Sequence, residues 1–246
     1  MKNRLLFSAL LLTSSLTTLP AAWAGDPHPK KMPPKAAAAT PPNYLEKLTP
    51  QNSVLVMVDF LTGFDPGLKT IDKSLYNNNV TALAKLGKLF KLPTLVIGDE
   101  GGFRGKFYPA LAQYLPDAPR IERHTVSAWQ EPKFVEAVKK TGRKKLILAG
   151  ISIDNCTTHL ALDALKAGYE VYVVTDCSGS NEKLVEEAAM MRLTQAGAVM
   201  TSWVSLGSEL LGDWKKPEGA TLGQIYQEHS AWGGFYSGYT AEVGKK

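Results

Sequence analysis

Short aliphatic runs alternate with longer amphipathic segments along this chain. Ser53–Val58 and residues 146–149 are continuously apolar, which is typical of central parallel strands covered on both faces. Further strands are predicted at residues 94–97, 120–123, 169–174 and 198–200. Apolar spacing of three and four residues predicts helices at residues 74–90, 108–114, 132–140, from about 154 onward, 182–196 and 204–211. This alternation predicts a Rossmann-like α/β fold, a three-layer sandwich with a six-stranded, mostly parallel sheet.

The first 24 residues have the pattern of a secretory signal peptide. Two basic residues precede an apolar run over residues 5–12, and residues 22–24 (Ala-Trp-Ala) offer a small-residue cleavage site. The mature chain would then begin at Gly25. An uncleaved membrane anchor is the alternative, but hydroxyl side chains interrupt the run and it ends at Pro20, so it is too short and polar to span well. We therefore expect an exported protein, periplasmic or secreted.

Composition divides the mature chain into three parts. Residues 25–43 are rich in Pro, Ala and Lys and have no apolar periodicity, which predicts a disordered linker. Residues 44–212 form the predicted globular domain. Residues 213–246 form a C-terminal arm whose aromatic residues suggest packing on the body or on a neighbouring subunit, and hence a homo-oligomer. These aromatic residues are Trp214, Tyr226, Trp232, Phe235, Tyr236 and Tyr239.

The charge balance excludes some classes of partner. The formal net charge of +5 includes two positive charges in the predicted signal peptide, so the mature chain carries +3, with its basic residues scattered. Such a mild excess does not indicate a nucleic-acid binder. No later apolar run approaches the length of a membrane span. We expect a small-molecule substrate, no nucleic acid, and no membrane contact after signal cleavage.

Three chemically active side chains follow predicted strands. Asp59 follows the first strand, Arg123 ends the third, and Cys156 follows the fourth, in the predicted first turn of a helix. The carboxyl ends of parallel strands meet at one sheet edge, where open α/β sheets bind ligands. Backbone N–H groups and the helix dipole at Cys156 would favour the thiolate and lower the thiol pKa. We predict that these three residues form one site.

A cysteine hydrolase needs a thiolate, a group that exchanges its proton, and donors for the oxyanion. Asp59 can exchange the proton, and Arg123 can hold its carboxylate. Backbone N–H groups of residues 150–156 can form the oxyanion hole. Each residue also has a structural interpretation: Asp59 as a loop cap, Arg123 in a surface ion pair, and Cys156 as a buried cysteine. The alternative function is a non-catalytic binding or assembly protein, which a thiol pKa at or above about 8.5 would favour.

The chain has two cysteines, Cys156 and Cys177. An exported protein could join them in a disulfide. Two strand ends in one sheet seldom bring Cα atoms within the limit of about 7 Å, so we expect both thiols to be free. A thiol redox protein is disfavoured because no Cys-x-x-Cys motif is present.

The motifs around these residues resemble those of the isochorismatase-like cysteine hydrolase family. The resemblance rests on Asp59, on the basic residue ahead of Ser127-Ala-Trp129, and on the run Gly150-Ile-Ser-Ile-Asp-Asn-Cys156. Further matches to its YcaC-type branch are Phe134-Val-Glu-Ala-Val138, Thr141-Gly-Arg-Lys-Lys145, Gly168-Tyr-Glu-Val-Tyr-Val-Val174 and Asp176. They extend from about Tyr44 to the early C-terminal arm.

The resemblance implies a role for each residue. Cys156 would be the nucleophile, Asp59 the acid/base and Arg123 the basic member, where most of the family has Lys. The amides of Ser152 and Cys156 would form the oxyanion hole, with a cis peptide between Ile151 and Ser152. Phe60, Phe64 and Trp129 would border a small, partly apolar substrate pocket, although core packing explains them equally well.

Metal and cofactor chemistry is not expected. Nicotinamidases of this family carry a metal-binding Asp and His cluster after the second strand, whereas this loop holds Asp99 and Glu100 without histidine. The four histidines show no ligand spacing, and His159, three residues after Cys156, is best explained as a surface or packing residue. We therefore predict an exported hydrolase that cleaves a C–N bond of a small amide-like substrate through a thioester on Cys156.

Overall fold

The computed structural model describes residues 44–234, which belong to one compact unit. The predicted signal peptide (1–24) and linker (25–43) lie outside the described residues, as do Phe235, Tyr236 and Tyr239 of the C-terminal arm.

The described chain contains a six-stranded sheet in the order β3-β2-β1-β4-β5-β6, and every pair of neighbours is parallel. The strands are β1 (Ser53–Val58), β2 (Thr94–Ile97), β3 (Arg120–Ile121), β4 (Lys145–Gly150), β5 (Glu170–Val174) and β6 (Val199–Thr201). The predicted fold class is confirmed. Several boundaries differ from the prediction by a residue or two, and one of these matters for the site: β3 ends at Ile121, so Arg123 lies in the following loop.

Seven α-helices alternate with these strands in the described chain. They are α1 (Lys73–Leu89), α2 (Pro109–Tyr114), α3 (Pro132–Lys140), α4 (Thr158–Lys166), α5 (Lys183–Ala196), α6 (Trp203–Leu211) and α7 (Gly219–His229). Helix α7 was not among the predicted helices, because its two glycines lower its intrinsic helix propensity. Its apolar residues Leu222, Ile225 and Tyr226 are nevertheless buried against the body of the domain.

Alternate residues of the central strands enter two separate cores. Leu55 and Met57 of β1 pack in a cluster with α1, α2, α6 and α7, whereas Val54 and Val56 pack with α3, α4 and α5 on the opposite face. Side chains alternate between the faces of a strand, so a strand covered on both faces is apolar throughout. The three layers thus follow directly from the aliphatic runs. No helix in residues 44–234 is long and apolar enough to cross a membrane.

The two ends of β4 differ in composition. At its start, the ammonium of Lys145 pairs with the carboxylate of Glu170 on β5 and lies 3.4 Å from that of Glu46. At its end, Gly150 approaches β1 so closely that a Cβ would lie 2.3 Å from the carbonyl oxygen of Val58. Because no larger residue fits there, Gly150 is required for pairing at the carboxyl edge of the sheet.

Candidate active site

The strand order reverses between β1 and β4, and the predicted site lies at the carboxyl edge of these strands. Asp59 directly follows β1, Cys156 follows β4 after five intervening residues, and Arg123 extends from the loop after β3. This switch point is where open α/β sheets bind ligands. Gly98, after β2, has φ +143°, and a Cβ there would lie 3.3 Å from Oδ1 of Asp59. A glycine therefore leaves space for this carboxylate.

Arg123 holds the Asp59 carboxylate with two nitrogens. Its Nε donates to Oδ1 at 3.2 Å, and its Nη2 donates to Oδ2. The Asp59 side chain is 4% exposed and that of Arg123 13%. Burial disfavours the charge of Arg123, but the hydrogen bond and charge of Asp59 outweigh it and raise the pKa of the guanidinium. The site thus contains a buried, bidentate ion pair.

The thiol of Cys156 lies beside this pair. Nη2 of Arg123 lies 2.7 Å from Sγ and donates to it. The charge of the Asp59 carboxylate also acts on the thiol and raises its pKa. The structure therefore brings all three predicted catalytic residues together, and Cys156 remains partly exposed.

The backbone around Cys156 differs from the predicted first turn of an α-helix. Residues Ile153–Thr157 form one turn of π-helix, and α4 begins only at Thr158. The amide of Ile153 donates to the carbonyl of Gly179 at 2.9 Å, and Ser180 Oγ donates to Asp154 Oδ1 at 2.6 Å. These contacts with the loop after β5 hold the turn, and such π-turns are frequent at functional sites.

The pKa of Cys156 contradicts the sequence-based expectation. Burial, followed by the charge of Asp59, raises it to about 11, although the charge of Arg123 acts in the opposite direction. The thiol is therefore protonated at neutral pH. By pKa alone it resembles a structural cysteine, but its contacts with a buried carboxylate and a guanidinium distinguish it from one. A proton acceptor beside the thiol can generate the nucleophile during the reaction.

The loop after Arg123 contains contacts that were not predicted from the sequence. Nη1 of Arg123 donates to the carbonyl oxygens of Thr125, at 2.5 Å, and Val126, at 3.3 Å. The carboxylate of Glu131 accepts hydrogen bonds from the backbone of His124 and Thr125. Glu131 immediately precedes Pro132, and this helix-start pattern was the only available sequence signal.

One predicted pocket residue lies in the core instead. Phe60 is fully buried and packs against Tyr76 and Tyr108, with ring centroids 6.1 Å apart in each case. Asp59 has φ +53°, which breaks the side-chain alternation of β1 and directs Phe60 to the α1 face. Phe60 therefore belongs to the core and does not border the pocket, because a residue that follows a left-handed position does not continue the strand pattern.

The other two predicted pocket aromatics are partly buried. Phe64 contacts the ring of Phe103 edge to face. Trp129 packs edge to face on Phe134 and Tyr169, at 5.9 and 4.9 Å between centroids. Both contribute to packing, and their substrate contact remains a prediction.

Two expectations about the second cysteine and the backbone are confirmed. Cys156 and Cys177 are both free thiols, and Cys177 is completely buried. The peptide bond between Ile151 and Ser152 is cis, as the family resemblance implied. The Ser152 and Cys156 amides remain the predicted oxyanion hole.

The loop after β2 uses its acidic groups in local contacts. Arg104 pairs with Asp99, and the Phe107 amide donates to Glu100 at 2.8 Å. Within residues 44–234 there is no cluster of three or more His, Cys, Asp or Glu side chains that could hold a metal ion. His159 contributes its backbone carbonyl, which accepts from Ser127 Oγ at 3.3 Å.

Comparison with known proteins identifies relatives that span this whole site. The Isochorismatase domain profile matches residues 53–205. Probable hydrolase YcaC of Escherichia coli is 37% identical over 186 residues, covering 74% of this chain and 88% of that protein.

Two solved YcaC structures match the fold. The structure from Pseudomonas aeruginosa, with hexane-2,5-diol and covalent acrylamide, has a TM-score of 0.76 and 36% identity over 82% of this chain and 98% of that one. The structure of the Escherichia coli protein, described as an octameric hydrolase of unknown specificity, has a TM-score of 0.77. Its sequence identity is 34%, and the match covers 82% of this chain and 99% of that one.

Proposed function

This chain belongs to the isochorismatase family of hydrolases, and we propose that it cleaves a C–N bond of a small amide-like substrate through a thioester on Cys156. One observation carries the proposal: Arg123 Nη2 donates both to the Asp59 carboxylate and to Cys156 Sγ, at 2.7 Å from the sulfur. A nucleophile, a proton acceptor and a fixed positive charge thus share one partly exposed position.

In the first half of the reaction, Asp59 takes the thiol proton as Sγ attacks the carbonyl carbon. The raised pKa of Cys156 means that this transfer accompanies substrate attack, because a resting thiolate is scarce at neutral pH. The Ser152 and Cys156 amides stabilise the oxyanion. Protonated Asp59 then gives its proton to the leaving nitrogen, the C–N bond breaks, and an amine and a thioester result.

In the second half, Asp59 removes a proton from water, which attacks the thioester carbonyl. The C–S bond breaks, the acid product leaves, and the sulfur regains the proton from Asp59. Arg123 keeps the carboxylate in place throughout and stabilises negative charge on sulfur, while its own pKa is too high for proton transfer.

One finding supports a reactive nucleophile in this family. The Pseudomonas aeruginosa relative contains covalent acrylamide, an electrophile that reacts with thiolates at its alkene carbon. In this chain, Phe64 and Trp129 are the proposed apolar side chains around the substrate. The particular amide is to be found by screening small amides, ureas and hydroxamates by thermal shift.

Acyl-enzyme trapping tests the mechanism. Hits from the screen are mixed with the protein, quenched in acid within milliseconds and digested for mass spectrometry. We expect the acyl mass on the peptide containing Cys156, and none in Asp59→Asn, whose amide cannot accept the proton. Turnover without any acyl adduct, or with an adduct only on Cys177, would exclude the Cys156 thioester. Tight binding without turnover of any hit would favour the non-catalytic alternative.

The proposal includes export and self-association. The pattern of residues 1–24 supports cleavage before Gly25, and the octameric Escherichia coli relative supports a homo-oligomer. N-terminal sequencing of the protein recovered from the periplasm should begin at Gly25, and light scattering of residues 25–246 should give several times the monomer mass. An intact N-terminus in the cytosol would contradict export, and a monomeric mass would contradict assembly.

A further inference from the structure

The carboxylate of Glu131 organises the loop that carries Arg123. A single oxygen, Oε1, accepts hydrogen bonds from the amide of His124 at 2.9 Å and from the amide of Thr125 at 3.0 Å. Thr125 Oγ1 lies 2.8 Å from the same oxygen and 2.8 Å from the carbonyl oxygen of Ser127, and its one proton is shared between them. Two backbone donors on one carboxylate oxygen fix the backbone of this short segment.

The carbonyls of the same segment hold the guanidinium. Thr125 and Val126 accept hydrogen bonds from Nη1 of Arg123 at 2.5 and 3.3 Å. The opposite side of the guanidinium reaches Asp59 and the sulfur of Cys156. A continuous series of contacts therefore runs from Glu131 through the loop to the reacting thiol.

Glu131 is attached to a regular element and stays charged. It immediately precedes α3, whose N-terminus favours an anion. The backbone hydrogen bonds from His124 and Thr125 lower the pKa of Glu131 to about 2, so it is a carboxylate throughout the neutral and alkaline range. The loop is thus held by a charged acceptor at the N-terminus of α3.

We propose that Glu131 is a positioning residue: through Thr125 and Val126 it sets the orientation in which Arg123 contacts Asp59 and Cys156. The effect on turnover rests on the proposed function, whereas the effect on thiol reactivity does not. Without this acceptor, the loop carbonyls would move and the Nη2 contact with sulfur would be lost for part of the time. The thiol would then lose the contact that favours its anionic form.

The experiment measures the rate of Cys156 alkylation by iodoacetamide at pH 9, without substrate, in the full mature chain. We expect Arg123→Ala to slow labelling roughly tenfold, and Glu131→Ala roughly threefold or more. Glu131→Gln retains an acceptor oxygen and should recover much of the rate. Glu136→Gln, an exposed carboxylate on α3, is the matched control and should label like the wild type.

The double variant Glu131→Ala/Arg123→Ala separates positioning from general destabilisation. If Glu131 acts through Arg123, the double variant should label no more slowly than Arg123→Ala. Independent, multiplicative slowing would overturn the proposal, and so would wild-type labelling of Glu131→Ala. If Glu131→Ala does not fold, Glu131→Ser keeps a favourable N-cap for α3 but is too short to reach the loop amides, and with its own double variant it decides by the same rule. Failure to find any substrate would count against the proposed function and leave these labelling results decisive.

Discussion

A buried cation and carboxylate lie near each end of β4, and the two pairs serve different purposes. At the amino edge, Lys145 is 2% exposed and pairs with Glu170, its register partner on β5. At the carboxyl edge, Arg123 pairs with Asp59, and the Arg123 side chain is 13% exposed. The first pair links two strands, whereas the second links two loops.

The difference between the pairs is the third group that each pair contacts. The ammonium of Lys145 donates to the hydroxyl of Tyr172 at 3.3 Å, in a buried contact. The guanidinium of Arg123 instead contacts a partly exposed thiol. A buried ion pair by itself therefore indicates no function, because the amino-edge pair is equally buried. Function requires a nucleophile that shares the pair and that a substrate can reach.

Removing the proposed nucleophile should have the largest effect on the site at the carboxyl edge. Cys156→Ala is expected to reduce turnover by at least about 10⁴-fold, because the proposed thioester forms on its sulfur. The melting temperature should change little, since this sulfur is only partly buried. Cys177→Ala is the matched control and should keep most of the turnover. If Cys177→Ala lost activity while Cys156→Ala kept it, the nucleophile would be Cys177 and not Cys156.

Breaking the amino-edge pair should affect stability instead of chemistry. Lys145→Ala removes a buried ammonium that pairs with the Glu170 carboxylate and should lower the free energy of unfolding by about 3–5 kcal/mol. Urea unfolding measures this, with the exposed Lys139→Ala as control, which should stay within about 0.5 kcal/mol of the wild type. Turnover per folded molecule should be unchanged. A stable but inactive Lys145→Ala would contradict the assignment of the amino-edge pair to stability alone.

Arg123→Lys tests whether charge alone suffices at the carboxyl edge. Lysine keeps the positive charge but cannot hold Asp59 with two nitrogens while also donating to sulfur and the loop. We expect kcat/KM to fall roughly 10- to 100-fold. Steady-state kinetics on a substrate from the screen measures this, with Lys140→Arg as a surface control. Full retention of activity would show that the two-nitrogen contact of Arg123 with Asp59 is not needed for turnover.

The pH dependence of alkylation sharpens the comparison of the two thiols. Because the Cys156 pKa is raised to about 11, the reactive thiolate fraction grows with pH. The labelling rate should rise roughly tenfold per pH unit between about pH 7 and 10. Cys177, which is fully buried, should stay unlabelled until the protein unfolds. A plateau of the Cys156 rate near neutral pH would mean that the charge of Arg123 outweighs burial.

Local patterns were sufficient for the fold and for the choice of Asp59, Arg123 and Cys156 as the central residues. The aliphatic runs identify strands covered on both faces, and residues that directly follow such strands, as Asp59 does, must lie at the carboxyl edge. The position of Cys156 after β4 follows by the same reasoning. Element boundaries shifted by a residue or two, because helix and strand ends depend on capping contacts that periodicity does not encode.

The sequence by itself determined the succession of strands and helices along the chain as far as α6, the sheet edge on which the proposed site lies, and the residues that could act there. Only the tertiary structure decided how Arg123 is held, that Phe60 belongs to the core, and that burial raises the Cys156 pKa. The reason is physical. Strand and helix patterns arise from neighbours along the chain, whereas the environment of a side chain depends on burial and on groups from distant segments, such as Glu131 and Gly179.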